Sequence, residues 1–220
     1  MQLHVVYGGT FDPVHRGHIA VAECVADTLG CRVDLLPAAD PPHRAAPGAS
    51  ASQRAAMLHL AVAGRPQLHV DERELRRAGA SYTVDTLSEL RSEIGPRPSL
   101  IWVLGADALR GLASWKHWQR LLELGHLLAV ERQGHPLDAE GLAEHAPAVA
   151  AELLPRRRAV AALTHTAAGS FAVLRPGRPL PESASEVRRR LAEGGDWRAL
   201  LAPAVADYIA GNGLYGVERV

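Results

Sequence analysis

Two cysteines, Cys24 and Cys31, are all that 220 residues contain. The reading puts the first inside a helix and the second at the opening of a strand, so no disulfide framework is expected. An excess of charge is missing too: 24 Lys and Arg stand against 24 Asp and Glu. That balance argues against a broad nucleic-acid or anionic-membrane surface and leaves room only for a local basic patch. No stretch approaches the roughly 20 apolar residues of a membrane span. Met1 to Tyr7 lacks the basic n-region and long apolar h-region of a leader, which makes the cytoplasm the expected compartment. Internal repeats and heptads are absent. What remains is a chain long enough for one sizeable core, expected as a single domain over 1–220.

Strand-like runs at Leu3 to Tyr7, Arg32 to Pro37, Leu68 to Asp71, Leu100 to Leu104, His126 to Glu131 and Phe171 to Leu174 alternate with helical patterns. Such alternation predicts an α/β fold, Rossmann-like, with an open, mainly parallel sheet and helices on both faces. Helices are expected over Gly17 to Leu29, with Gly30 closing it, and over Ser52 to Ala63, Thr83 to Ile94, Lys116 to Leu124, Ser183 to Ala192 and Pro203 to Ala210. Ala38 to Ser50 reads as a long exposed loop, and loops of that length in compact domains tend to be functional. Leu137 to Arg158 is rich in Ala and Leu and ends in Arg156-Arg157-Arg158, read as a solvated face. Of the 11 histidines, His4, His59, His69, His126, His135, His145 and His165 are scattered singly and read as surface or half-buried residues.

The chemistry concentrates at residues 8–18: Gly8-Gly9-Thr10-Phe11-Asp12-Pro13-Val14-His15-Arg16-Gly17-His18. Directly behind a strand, this segment hands over to a helix whose first N–H groups and positive dipole end would face an anion. Glycine lets backbone approach a phosphate. His15 and His18 lie three apart, so on a helix they share a face, with Gly17 leaving room between them. Phosphate donors are thus supplied without a Walker lysine. Asp12-Pro13 reads as a turn and Phe11 as a buried plug beneath the loop. Two histidines alone could instead bind a metal, but no third ligand is spaced nearby.

The segment resembles the GxFDPxHxGH signature of the HxGH nucleotidyltransferase superfamily, which moves a nucleoside monophosphate from a triphosphate onto a second phosphate. A later segment, Glu182-Ser183-Ala184-Ser185-Glu186-Val187-Arg188, reads by itself as a capped helix start. Beside the first motif it resembles the superfamily's second signature, with Glu182 at a usually apolar position and Ser185 in place of threonine. Pro41-Pro42-His43-Arg44, Ser81-Tyr82-Thr83-Val84-Asp85-Thr86-Leu87, Gly105-Ala106-Asp107 and Trp115 extend the likeness over nearly the whole chain, to the bacterial nicotinate-nucleotide adenylyltransferases.

That resemblance implies transfer of AMP from ATP to nicotinate mononucleotide, giving deamido-NAD and pyrophosphate. It assigns catalysis to His15, His18 and Arg188. ATP binding would fall to Gly8, Gly9, Thr10, Phe11, Gly105, Asp107, Ser183 and Ser185. His43, Arg44 and Arg132 would meet the mononucleotide, Arg44 and Arg132 at its phosphate, while Tyr82, Thr83, Trp115 and the backbone at Lys116 enclose its pyridine ring and carboxylate. Lys116 replaces a common aromatic residue, and Glu131 stands where a second basic residue often occurs. Clustered carboxylates are missing, so Mg²⁺ is expected to ride on the ATP phosphates rather than in a protein cage. The partners implied are these two small molecules, with no nucleic acid and no membrane, and a homo-oligomer is compatible with the reading. Other transferases of the superfamily, acting on phosphopantetheine or nicotinamide mononucleotide, and a regulatory nucleotide-binding module are the competing readings.

Overall fold

Near-continuous apolar runs pair side by side here because strands covered on both faces bury every side chain. The computed structural model describes residues 2–40, 47–131, 137–177 and 181–219. Its strands are β1 (Leu3–Gly9), β2 (Val33–Pro37), β3 (Leu68–Val70), β4 (Ser99–Gly105), β5 (His126–Val130) and β6 (Phe171–Leu174). All pair in parallel, in the order β3-β2-β1-β4-β5-β6. The expected α/β class, with an open parallel sheet, is what the structure shows.

The helices are α1 (Arg16–Leu29), α2 (Ala51–Val62), α3 (Arg73–Arg76), α4 (Thr83–Ile94), α5 (Ala106–Arg110), α6 (Leu121–Leu124), α7 (Ala139–His145), α8 (Pro147–Leu153), α9 (Ala184–Glu193) and α10 (Pro203–Asn212). Alternate strand residues sort into two cores. Val5, Tyr7, Leu35, Ile101 and Val103 cluster with Ala22 and Val25 of α1, Met57 and Leu58 of α2, and Val205 and Ile209 of α10. Val6, Leu36, Trp102 and Leu104 cluster instead with Leu87 and Leu90 of α4, Leu109 of α5 and Leu153 of α8. Each fully buried aliphatic side chain contributes roughly 1.5–3 kcal/mol.

Strand order reverses between β1 and β4, where Tyr7 lies beside Val103. Beyond that pair Gly8 and Gly9 continue only against β2, opposite Leu36 and Pro37. The two strands therefore diverge at their carboxyl ends, which is where open α/β sheets bind ligands. Gly30 closes α1 in the left-handed conformation, φ 61° and ψ 39°, as its position implied.

Two sequence expectations are corrected. The helix over Lys116 to Leu124 does not form as one element: His117 adopts φ 48°, which no helix accommodates, and only a 3₁₀ turn at Trp118–Arg120 leads into α6. His126 is fully buried rather than at the surface or half-buried. It sits in β5, between β4 and β6, where its Nδ1 accepts from Ser170 N–H at 3.0 Å and its Nε2 bonds the Thr166 carbonyl at 2.8 Å. The stretch from Leu137 to Arg158 contains α7, capped by the Asp138 carboxylate, and α8, which opens on Pro147. Arg156 bonds Glu152, while Arg158 N–H extends the edge of β6 through the Phe171 carbonyl.

Candidate active site

A glycine at position 8 is required because a Cβ there would fall inside the indole of Trp102. The chain then turns through Phe11, held at φ 51°, a region that costs a non-glycine residue energy and clusters at functional sites. The Phe11 ring is 1 % exposed. It packs edge-on against His18 with centroids 5.0 Å apart and against Tyr7 at 5.6 Å. Phe11 is thus the plug the sequence suggested, its ring packed against His18 and Tyr7.

His15 caps α1 in extended conformation, φ −135° and ψ 170°. Its imidazole stacks on that of His18, centroids 3.7 Å apart and planes 28° from parallel. His15 is 4 % exposed. The His15 backbone N–H donates to His18 Nδ1 at 3.3 Å, so that nitrogen carries no proton and the ring's N–H is at Nε2. A Cβ at Gly17 would stand 3.0 Å from His15 Nδ1 and 3.1 Å from the Glu182 carbonyl oxygen. The glycine therefore leaves room for the histidine, as expected, and also lets the second motif come down on the first.

That second motif starts α9. Ser183 caps it, its hydroxyl accepting from Glu186 N–H at 3.1 Å. Arg188, one turn on, donates to the Asp12 carbonyl and lies 3.5 Å from Ser185 Oγ. Glu186 faces Arg189 and Arg190, whose hydrogen bonds hold its carboxyl down at about 2. His15, His18, Ser183, Ser185 and Arg188 thus gather around the start of α1.

Beside them opens a cleft of about 270 Å³. It is lined by Gly8, Gly9 and Thr10 from the end of β1, by Ser81, Tyr82 and Thr83 at the start of α4, by Asp107 of α5, and by Trp115 and Lys116. Gly105 is not part of this lining; it caps α5 from behind. The break at His117 turns Lys116 toward α4: its ammonium lies 3.1 Å from an Asp85 carboxylate oxygen and 4.5 Å from the Tyr82 ring centroid. His43, Arg44 and Arg132 lie outside the described residues.

Several supporting residues escaped the sequence reading. Arg54 is 1 % exposed, and its guanidinium donates to the carbonyls of Thr10 (2.7 Å), Ala39 (3.0 Å) and Ala49 (3.3 Å). Burial lowers its pKa, with Asp12 and Tyr215 opposing the shift. Ser81 Oγ accepts from Ala39 N–H at 2.9 Å and Asp40 N–H at 3.3 Å, pinning the segment after β2 to the start of α4. Glu74, buried at the cleft wall, accepts from the Thr86 hydroxyl at 2.5 Å. Trp102 also lines the cleft, and its buried Nε1 has no hydrogen-bond partner among the described residues.

A parallel sheet with a glycine and histidine loop at its switch point, and a basic, capped helix pressed on that loop, defines a nucleotidyltransferase. The sequence model of the cytidylyltransferase-like family matches residues 6–190. A Stenotrophomonas maltophilia protein named "Probable nicotinate-nucleotide adenylyltransferase" is 51% identical over 98% of this chain and 97% of its own. A protein of that name from Marinobacter nauticus is 42% identical over 99% of each. The chain belongs to the cytidylyltransferase-like family and, within it, to the nicotinate-nucleotide adenylyltransferases. The fold agrees: the Plasmodium falciparum nicotinic acid mononucleotide adenylyltransferase complexed with NaAD superposes with a TM-score of 0.74 over 98% of both chains, at 17% identity.

Proposed function

We propose that this protein transfers AMP from ATP to nicotinate mononucleotide, releasing pyrophosphate and forming deamido-NAD. The observation that carries the proposal is the stacked His15 and His18 pair at the amino end of α1, beside a cleft at the sheet's switch point. Membership of the adenylyltransferase family supports these substrates, and we assign the reaction to the cytoplasm as the compartment that supplies ATP.

An oxygen of the mononucleotide phosphate attacks the α-phosphorus of ATP. The bond from that phosphorus to the bridging oxygen breaks, and pyrophosphate leaves with the electron pair. With a second pKa near 6, the attacking phosphate is largely dianionic at neutral pH and needs no general base. The work left to the protein is to align two anions that repel each other and to stabilise charge as it moves to the leaving group.

In this reading His18 Nε2–H donates to the α-phosphate, and His15 with the first amides of α1 meets the phosphates beyond. Arg188, Ser183 and Ser185 receive the departing pyrophosphate, and Thr10, Gly8 and Gly9 form the floor. Asp107 holds the nucleotide side. Tyr82, Thr83, Trp115 and the Lys116 backbone enclose the pyridine ring, with His43, Arg44 and Arg132 on the mononucleotide. An aromatic face suits a flat, electron-poor ring, and backbone N–H groups favour an acid over an amide by charge.

Transferases of this kind take ATP with a divalent metal, here assigned as Mg²⁺. Among the described residues no three His, Cys, Asp or Glu side chains converge. The Asp12 carboxylate, within the Gly8 to His18 loop, already accepts from Gly48, Ala49 and Tyr215. Such a donor set fits an ion that would be held mainly by the phosphates, whose charge it would neutralise.

Pyrophosphate release with ATP and either nicotinate or nicotinamide mononucleotide tests the reading. The expected result is turnover with kcat/KM clearly higher for the acid; a preference for the amide or for another phosphate contradicts it.

A further inference from the structure

The Asp12 carboxylate is 8 % exposed and collects more partners than a turn needs. Oδ2 accepts from Gly48 N–H at 2.9 Å; Oδ1 accepts from Ala49 N–H at 3.2 Å and from the Tyr215 hydroxyl at 2.7 Å. Arg188 Nη1, which bonds the Asp12 carbonyl, stops 3.8 Å from Oδ2. Tyr215 arrives from 203 residues away. It does so in a tight reversal where Gly213, Tyr215 and Gly216 all take positive φ, 63°, 57° and 80°. A tyrosine held there pays for a conformation that only its surroundings enforce.

The reversal is built around the same residues from the other side. A Cβ on Gly48 would approach the Tyr215 ring to 2.8 Å, so the glycine lets the 47–50 segment lie flat on the ring. Burial and the adjacent Asp12 push the Tyr215 pKa far up, keeping the hydroxyl a donor throughout any usable pH range.

One hydroxyl and two amides thereby satisfy a carboxylate that stands within reach of Arg188. A carboxylate left short of donors turns toward the nearest cation, and a guanidinium in a full ion pair is less available to phosphate. We propose that Tyr215 is a positioning residue for the transfer reaction: by occupying Asp12 Oδ1 it keeps Arg188, which bonds the Asp12 carbonyl and stops 3.8 Å from Oδ2, from closing into a full ion pair with that carboxylate, and it fixes the loop that carries His15 and His18. This inference rests on the adenylyltransferase reading for its substrate, and on the geometry of residues 12, 48, 188 and 215 for everything else.

Tyr215→Phe keeps the ring on Gly48 and removes only the hydroxyl. Steady-state kinetics, normalised to the folded fraction from circular dichroism, are expected to show kcat about tenfold lower and KM for ATP several-fold higher. KM for nicotinate mononucleotide should stay within about twofold, a split that simple loss of folded protein does not produce. Gly48→Ala, which pushes the ring away while keeping Tyr215 and Asp12, should give the same signature. Wild-type kcat and KM for ATP in both variants, or losses that track only the unfolded fraction, overturn the proposal. A wild-type enzyme that does not turn over ATP would instead overturn the reading beneath it.

Discussion

The His15 backbone amide and the His18 ring are joined: the N–H donates to Nδ1 at 3.3 Å while the two imidazoles stack at 3.7 Å. One histidine thereby sets the tautomer of the other. With Nδ1 occupied, His18 presents a single N–H, at Nε2, and a fixed ring orientation, which is what a donor to a transferred phosphate requires.

Gly17 keeps that pair together. In Gly17→Ala the new Cβ meets the His15 ring at 3.0 Å and the Glu182 carbonyl at 3.1 Å. One of the two must give, so either the stack opens or the second motif lifts. We expect kcat to fall about tenfold or more, because a small misplacement is amplified in the transition state. Tm should change little, since Gly17 lies in the first turn of α1, where alanine is accepted as readily as glycine and the clash is local. Steady-state kinetics with a melting curve check both.

Lys116 is the lone cation among the described residues lining the cleft, and its 3.1 Å pair with Asp85 is exposed. Exposed pairs contribute about 0.2–1 kcal/mol. Lys116→Met is expected to raise KM for the anionic mononucleotide by roughly three- to fivefold, an effect of about that size, with KM for ATP unchanged. Asp85→Asn, which releases the ammonium, should lower the same KM. Substrate titrations of the two variants decide it, and equal KM values in both sink the assignment of this end of the cleft.

Burial lowers the His126 pKa from 6.5, against the opposing hydrogen bonds from Thr166 and Ser170, and burial also lowers that of His4. The unfolded chain therefore takes up these protons first as pH drops. Stability conferred by the neutral rings is complete above about pH 6.5 and is lost as pH falls below it. Melting curves from pH 8 to 5 should show Tm falling most steeply below about 6.5. In His126→Gln the Tm at pH 8 should be lower, because two buried hydrogen bonds are weakened, and its decline toward pH 5 shallower.

How much of this was written legibly in the chain varies with the distance over which each signal acts. Strands β1, β4 and β5 announce themselves because a central parallel strand must be apolar on both faces. The Gly8 to His18 loop is equally plain, since Gly8 and Gly9 answer contacts with the adjacent strand or within a few residues, although the approach of Glu182 to Gly17 is not local. His117 carries no mark of its left-handed backbone, and the apolar spacing of Trp118, Leu121 and Leu122 just beyond it suits a helix, so the sequence predicts a longer helix than forms. Asp138 as a cap and Pro147 at a first helical position were readable signals for α7 and α8 that composition obscured. Arg54 looks like a solvated position on α2, and only the folded chain brings Thr10, Ala39 and Ala49 around it. Tyr215 could not be linked to Asp12 from sequence at all, because nothing local records a contact between the chain's two ends.

The most direct test of the central claim is a comparison of kcat and KM for ATP between wild type and His18→Ala. Removing a donor aimed at developing charge typically costs about 100- to 1,000-fold in kcat. The account predicts a loss of that order with KM for ATP shifted only a few-fold. A folded His18→Ala protein that turns over at the wild-type rate would contradict it.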